Sequence, residues 1–231
     1  SVIASFIFLI SIPISPCAQE KEVTLEPVVV TATRVETPIG EIASSMTVIS
    51  SNEVERKQKA TVSEVLKGIP GLDVVQTAGV GRETSIFIRG ANSEHTLVMI
   101  DGVEVNDPIS PGRSYDFAHL TVDNIERIEV IRGPQSTLYG SDAIGGVINI
   151  ITKKGEGKPK FVVSAEGGTF MTFRESTGVS GGNSWINYSL GLSRFDTDGI
   201  SAANKNDGNY ERDGYENTSL SSRLGFTPKE N

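Results

Sequence analysis

Two hydrophobic patterns divide the chain. Beyond residue 153, apolar and small residues alternate with polar ones in runs of about ten, the period-two signature of strands with one apolar and one polar face. Phe161, Val163, Ala165 and Gly167 alternate with Val162, Ser164 and Glu166. Ile186, Tyr188, Leu190 and Leu192 alternate with Asn187, Ser189, Gly191 and Ser193. Thr218, Leu220, Ser222, Leu224 and Phe226 alternate with Asn217, Ser219, Ser221 and Arg223, while the run Thr172–Ser180 alternates only weakly. Gly181-Gly-Asn183 is a tight-turn sequence, whereas Asp196–Gly214 is a long polar loop. Strands of this length, joined by short turns and long loops in alternation, predict the start of an outer-membrane β-barrel over residues 153–231, about four strands of it. A soluble antiparallel sandwich has the same alternation and is the competing reading.

Residues 35–152 carry a mixed pattern that predicts one compact α+β domain. Short apolar runs at Ser45–Ser50, Leu72–Gln76, Ser85–Arg89, Thr96–Ile100 and Val147–Thr152 read as strands. Ser51 or Asn52 reads as the cap of a helix, with Glu53 three residues after Ser50 in the spacing of a capping box. Val62, Val65 and Leu66 give Thr61–Lys67 one apolar helical face, and Gly68-Ile-Pro-Gly71 stops it. Val122–Arg127 reads as a turn of helix before the strand Ile128–Arg132, and Gly133-Pro134 as the start of another helix. Loops rich in turn formers fall at Ala78–Gly81 and Asn106–Gly112. Three strands end in a charged residue followed by glycine: Arg89-Gly90, Asp101-Gly102 and Arg132-Gly133. Such endings mark a small polar cluster or a solvated edge.

Composition and the N-terminus narrow the classes. A net charge of −8 over 231 residues gives no electrostatic footprint for a nucleic-acid partner. Twenty-four glycines with 6% aromatic residues suit many short strands and turns. The apolar run Val2–Ile14 has the length of a signal-peptide core, so residues 1–18 read as a truncated signal peptide with cleavage after Ala18. Cys17 is the only cysteine; a lipid anchor there competes, but Pro16 is unfavourable beside it. In the extension 19–34, Glu26-Pro-Val-Val-Val-Thr-Ala-Thr-Arg34 is an extended, β-branched segment. It reads either as an ordinary first strand or as one that adds itself to the sheet edge of another protein.

Little here is catalytic. Gly178-Val-Ser-Gly-Gly182 fits G-x-S-x-G but falls at a hairpin between alternating strands, not at a strand-to-helix elbow. Gly140–Gly146 lacks the Gly-Lys-Ser/Thr of a phosphate cradle, and His95 and His119 are isolated. No nucleophile–base pair stands out, so the chain reads as no enzyme. Asp196, Asp198, Asp207, Glu211 and Asp213, interleaved with Asn204, Asn206 and Asn209, form either a solvated loop or a set of oxygen ligands for Ca²⁺.

Five stretches carry a resemblance. Glu26–Ala32 resembles a TonB box. Ser85-Ile-Phe-Ile-Arg-Gly90, Leu97–Gly102, Ile128–Gly133 and Leu138-Tyr-Gly-Ser-Asp-Ala-Ile-Gly-Gly-Val-Ile-Asn-Ile-Ile151 resemble the plug domain of TonB-dependent outer-membrane transporters. Within the family their order and wording are most similar to the members that carry vitamin B12 (cobalamin). The resemblance implies a plug domain over 35–152, followed by the first antiparallel strands of a transmembrane β-barrel that is 22-stranded in the full-length protein. It implies a bacterial outer-membrane location, with outer-membrane lipid around the barrel, and active uptake. TonB and its inner-membrane energising complex are the implied partners, and cobalamin or another metal-chelate ligand the cargo. The TonB box falls on Glu26, Pro27, Val28, Val29, Val30, Thr31 and Ala32, and the substrate-binding positions on Glu83, Ser85, Asn92, Ile109 and Ser110. Glu83 stands where the family pattern has an apolar residue. No cofactor is required. A structural Ca²⁺ would fall on Asn209, Glu211 and Asp213, although Ser201 occupies a position where the pattern has an aspartate. A siderophore or haem receptor of the same family is the alternative, and a soluble secreted binding module the third.

Overall fold

The structure is a computed structural model that describes residues 28–29, 37–38, 41, 44–203, 205–208 and 210–227. The described residues open with β1 (Val28–Val29), paired antiparallel to β2 (Thr37–Pro38). Strand β3 (Ser45–Ser50) runs into helix α1 (Ser51–Lys57), where the Ser50 hydroxyl accepts the Glu53 amide hydrogen at 3.4 Å. Helix α2 (Val62–Leu66) starts in a full capping box: Thr61 Oγ1 accepts from the Glu64 amide, and Glu64 Oε2 accepts from the Thr61 amide. Both helices are too short to stand alone, so the apolar faces they bury hold them. Val54, Val62, Val65 and Leu66 are all buried.

Strands β4 (Leu72–Gln76) and β5 (Thr84–Ile88) form a hairpin. Then come β6 (Thr96–Ile100), β7 (Val103–Glu104), β8 (Ile125–Arg132), the single helical turn α3 (Ser136–Tyr139) and β9 (Gly146–Thr152). Strands β3, β8, β9, β6 and β7 lie in that order in one sheet, with β6 parallel to β9 and every other pair antiparallel. Strands β6 and β9 are near-continuous apolar runs because both faces of the sheet are covered. On one face Val98, Ile128, Val130, Ile148 and Ile150 pack with α1, α2 and Phe117; on the other Leu97, Met99 and Val147 pack with Ala143 and Tyr139.

Two expectations are corrected here. Val122–Arg127 is not a turn of helix: the Ile125 amide bonds Val122 carbonyl to close a turn, and β8 begins at Ile125. The alternation of buried Ile125 and Ile128 around a register shift at Glu126 outweighs the local helical spacing. The helix expected from Gly133-Pro134 starts only at Ser136, since Gln135 first spends its amide on Ala143 carbonyl.

The second layer is a four-stranded antiparallel sheet, β10 (Lys160–Gly168), β11 (Thr172–Gly182), β12 (Ile186–Thr197) and β13 (Tyr215–Phe226). One face carries Phe161, Val163, Phe173, Leu190, Leu192, Leu220, Leu224 and Phe226, each more than two-fifths exposed. The opposite face presents Arg174, Ser176, Ser189, Ser193, Ser219, Ser221 and Arg223 to the first domain. No described helix is long and apolar enough to cross a membrane.

Candidate functional site

The charged residues that end the plug-like strands sit in turns that need them. Asp101 (φ 51°) and Gly102 (φ 80°) are both left-handed and close the β6–β7 hairpin, the conformation for which Asp-Gly is favoured. From there the Asp101 carboxylate accepts the Thr152 amide at 2.9 Å and hydroxyl at 2.5 Å. Arg223, on the inward face of β13, donates to Asp101 Oδ1 at 2.9 Å and to Thr152 carbonyl at 2.8 Å. Arg174 of β11 likewise reaches across to Asp123 (2.6 Å) and Lys59 carbonyl (3.2 Å), with its side chain and that of Asp123 largely buried. Ser189 donates to Asn124 at 3.1 Å. The first domain is therefore moored to the sheet largely by polar side chains, joined by the Tyr215 ring against Gly81 and His119. Between the moorings lies a cavity of about 310 Å³ lined by Ile100, Leu120, Ile125 and Ile150 on one side and by Ser193, Ser219 and Ser221 on the other.

Arg132 donates to Ser45, Thr47 and Pro70 carbonyl, with Arg89 beside it. Burial, then the charge of Arg89, lower the affinity of Arg132 for its proton below the ordinary guanidinium value. A Cβ on Gly71 would lie 3.1 Å from Arg132 Cδ, and one on Gly133 3.3 Å from Arg89 Nη1. These glycines let the two guanidinium groups stand close to the backbone. None of this resembles a proton-transfer site, and Ser180 of the G-x-S-x-G match lies within β11, paired to Lys160 and Ser189.

The positions expected to contact substrate fall on two loop groups. Glu83 is exposed at the end of the β4–β5 hairpin, its carbonyl bonded by the Thr77 amide, and Ser85 follows within β5 opposite Val75. Asn92 is exposed and precedes a tight 3₁₀ turn at Ser93–His95. Ile109 is 90% exposed at the tip of the loop 106–113, with Ser110 beside it. The second loop lies against the Asn92 turn, because a Cβ on Gly112 would meet Glu94 Oε2 at 2.6 Å. The Glu83 group joins them through Asp116, which accepts the Thr84 amide at 2.9 Å, and through the Phe117 amide on Thr84 carbonyl.

Asn106 anchors the Ile109 loop. Its buried amide accepts from Val98 N at 2.7 Å and donates to Thr96 and Arg113 carbonyls at 3.0 and 2.9 Å. Asn106→Ala leaves those buried groups unpaired, so a loss of about 1–3 kcal/mol is expected. Hydrogen exchange across residues 106–113 should rise, while exchange in β3 stays as in the wild type.

Of the TonB-box positions, Val28 and Val29 pair through their backbones with Pro38 and Thr37, and Glu26, Pro27, Val30, Thr31 and Ala32 lie outside the described residues. Asn209 also lies outside them. Asp213 accepts from Arg82 at 3.2 Å and from the Ala202 amide at 2.7 Å, and Glu211 is exposed. Among the described residues no three His, Cys, Asp or Glu side chains gather in a way that could hold a metal ion.

Sequence reading missed Arg174, Tyr215 and Arg223. The signal was present: an arginine or tyrosine at an inward position, flanked two residues away by Ser, Gly or Asn, has no lipid or solvent to face.

Residues 38–147 match the family described as the TonB-dependent receptor plug domain. The chain is 45% identical over 157 residues to the vitamin B12 transporter BtuB of Vibrio vulnificus, a match that covers 68% of the chain and 25% of that protein. It therefore spans about a quarter of the length of that curated relative. Among solved structures, the siderophore receptor PirA of Acinetobacter baumannii is 28% identical with a TM-score of 0.61, covering 80% of the chain and 29% of PirA. The ferripyoverdine receptor of Pseudomonas aeruginosa has a TM-score of 0.65 at 22% identity, covering 75% of the chain and 23% of its own; at that identity the likeness speaks to the fold alone.

Proposed function

Since the chain belongs, through its plug domain, to the TonB-dependent receptors, we propose that it is the plug and first barrel strands of an outer-membrane transporter that takes up cobalamin. The observation that carries the cargo is the 45% identity to a vitamin B12 transporter over 157 residues, 68% of the chain. The likeness to PirA, a siderophore receptor, favours a ferric siderophore as the second reading.

The geometry supports the transport reading in three ways. First, the outward face from Ile186 to Leu192 covers roughly 20 Å along the strand, and Trp185 and Phe226 flank it at one end. That approaches the apolar band of about 25 Å, edged by aromatics, that a barrel presents to lipid. Second, four strands leave a sheet with two edges, and 22 strands close a barrel wide enough to need a plug. Third, moorings made of hydrogen bonds and ion pairs exchange with water at little net cost. A plug moored in this way can loosen from the wall with little net loss of hydrogen bonding. Substrate would meet the loops of Glu83, Ser85, Asn92, Ile109 and Ser110. TonB would take the Val28–Val30 segment as an added strand and pull on a domain whose first sheet strand, β3, follows fifteen residues after Val30.

Cargo is tested by equilibrium binding on the purified full-length protein. Cobalamin should bind, and a ferric catecholate or hydroxamate siderophore should not compete. Siderophore binding without cobalamin binding would overturn the cargo and leave the family reading intact.

A further inference from the structure

The β4–β5 hairpin (residues 77–83) carries Glu83 and leads into Ser85, yet its own turn is held by few bonds: Thr77 to Glu83, and Arg82 to Gly79 at 3.3 Å. The wall supplies what the hairpin lacks. Tyr215, the first residue of β13, lays its ring against Gly81 so closely that a Cβ there would fall 2.0 Å from Tyr215 Cδ2. Gly81 is also left-handed (φ 80°), so both its shape and its conformation require glycine. The other face of the contact is just as occupied. Tyr215 stacks on His119 (centroids 5.8 Å, planes 11° apart) and meets Phe195 edge-on at 5.7 Å. Its hydroxyl bonds His119 Nδ1 at 3.0 Å and accepts from Asn217 Nδ2 at 2.7 Å. One residue beyond Gly81, Arg82 reaches Asp213, and Asp213 in turn ties down the Ala202 amide of the 198–214 loop.

We propose that Tyr215, seconded by Asp213, is a positioning residue: it holds the plug hairpin 77–83 in the geometry that receives ligand and couples the long 198–214 wall loop to it. The inference rests on the transporter reading for its functional half. The exposed Arg82–Asp213 pair is worth little alone. The ring is the dominant element, because it is fixed from two sides by aromatic contacts and at its tip by two hydrogen bonds. Removing it frees a hairpin that binding must then re-order, a cost that appears in affinity and not in the rate of the energised step.

The test uses the full-length protein with a nitroxide on the exposed Ala78 (as Ala78→Cys) and cyanocobalamin as the probe. In Tyr215→Ala the label should become mobile, and half-saturation should rise about tenfold with the maximal uptake rate within about twofold of wild type. Tyr215→Phe, which keeps the stack, should rise far less. Gly81→Ala should mobilise the label too, and in the Tyr215→Ala background it should add only the cost of its positive φ, a non-additivity that a contact requires. Should Tyr215→Ala fail to assemble, Tyr215→Leu replaces it with the same expectation. An immobile label and unchanged half-saturation in the Ala or Leu variant overturn the inference. If wild type binds no cyanocobalamin, the cargo reading fails, and label mobility alone decides this one.

Discussion

Deletion of Val28–Val30 is expected to abolish energised uptake while leaving ligand binding within about twofold of wild type. The segment lies in the only stretch ahead of the plug with a run of β-branched residues, and its backbone is suited to strand addition. Removing three residues removes two or three ladder hydrogen bonds, together about 3 kcal/mol, which weakens pairing with TonB on the order of a hundredfold. Among the described residues, Val28 and Val29 pair with Pro38 and Thr37 in a two-residue ladder. The loops proposed to bind substrate lie elsewhere in the chain, from Glu83 to Ser110, away from this segment. The check is paired: radiolabelled cobalamin accumulation in energised cells, and binding to isolated outer membranes. Retained accumulation would show that coupling runs through another segment.

The second large effect is on stability. Phe117 is 1% exposed at the centre of the main core, packed among the residues that α1, α2, β3 and β8 bury, with Tyr115 edge-on at 4.8 Å. Burial, then neighbouring Asp116, raise the Tyr115 phenol above its ordinary value, so this aromatic pair stays neutral around pH 7. Phe117→Ala removes most of a ring from a site enclosed by backbone as well as side chains, since its amide is fixed to Thr84. The cost should be about 3–5 kcal/mol, with Phe117→Leu at less than half of that. Hydrogen exchange of β8 and β9 in the full-length protein is the appropriate measurement, because it reports plug opening while the barrel stays folded. A loss below about 1 kcal/mol would mean that the site collapses onto the vacancy or that the core is not packed there.

The parts of the fold legible in the sequence were those with a periodic signal. Alternation at Ile186–Leu192 and Thr218–Phe226 located β12 and β13 and assigned their faces, because a strand's period is two whatever it packs against. The continuous apolar runs of β6 and β9 were recognisable as strands, but their parallel pairing was not, since it depends on contacts fifty residues apart. Val122–Arg127 was misread as helix because the bulge at Glu126 breaks the alternation that marks β8. Weak alternation in β11 has a related cause: glycines at 178, 181 and 182 remove side chains where the strand meets β12 and the 155–159 segment. At the candidate site, family wording located the loops but not what holds them. The capping-box spacing of Ser50 and Glu53 was readable; Asp101–Arg223 and Gly81–Tyr215 were not readable pairs, because each joins residues more than a hundred positions apart through the docking of two layers.

Energised accumulation tests the central claim most directly. Cells expressing the full-length protein should concentrate labelled cobalamin against a gradient, and a protonophore should reduce accumulation to the level of bound ligand without changing binding. Accumulation that is indifferent to the protonophore, with the protein correctly assembled in the outer membrane, would contradict TonB-dependent transport.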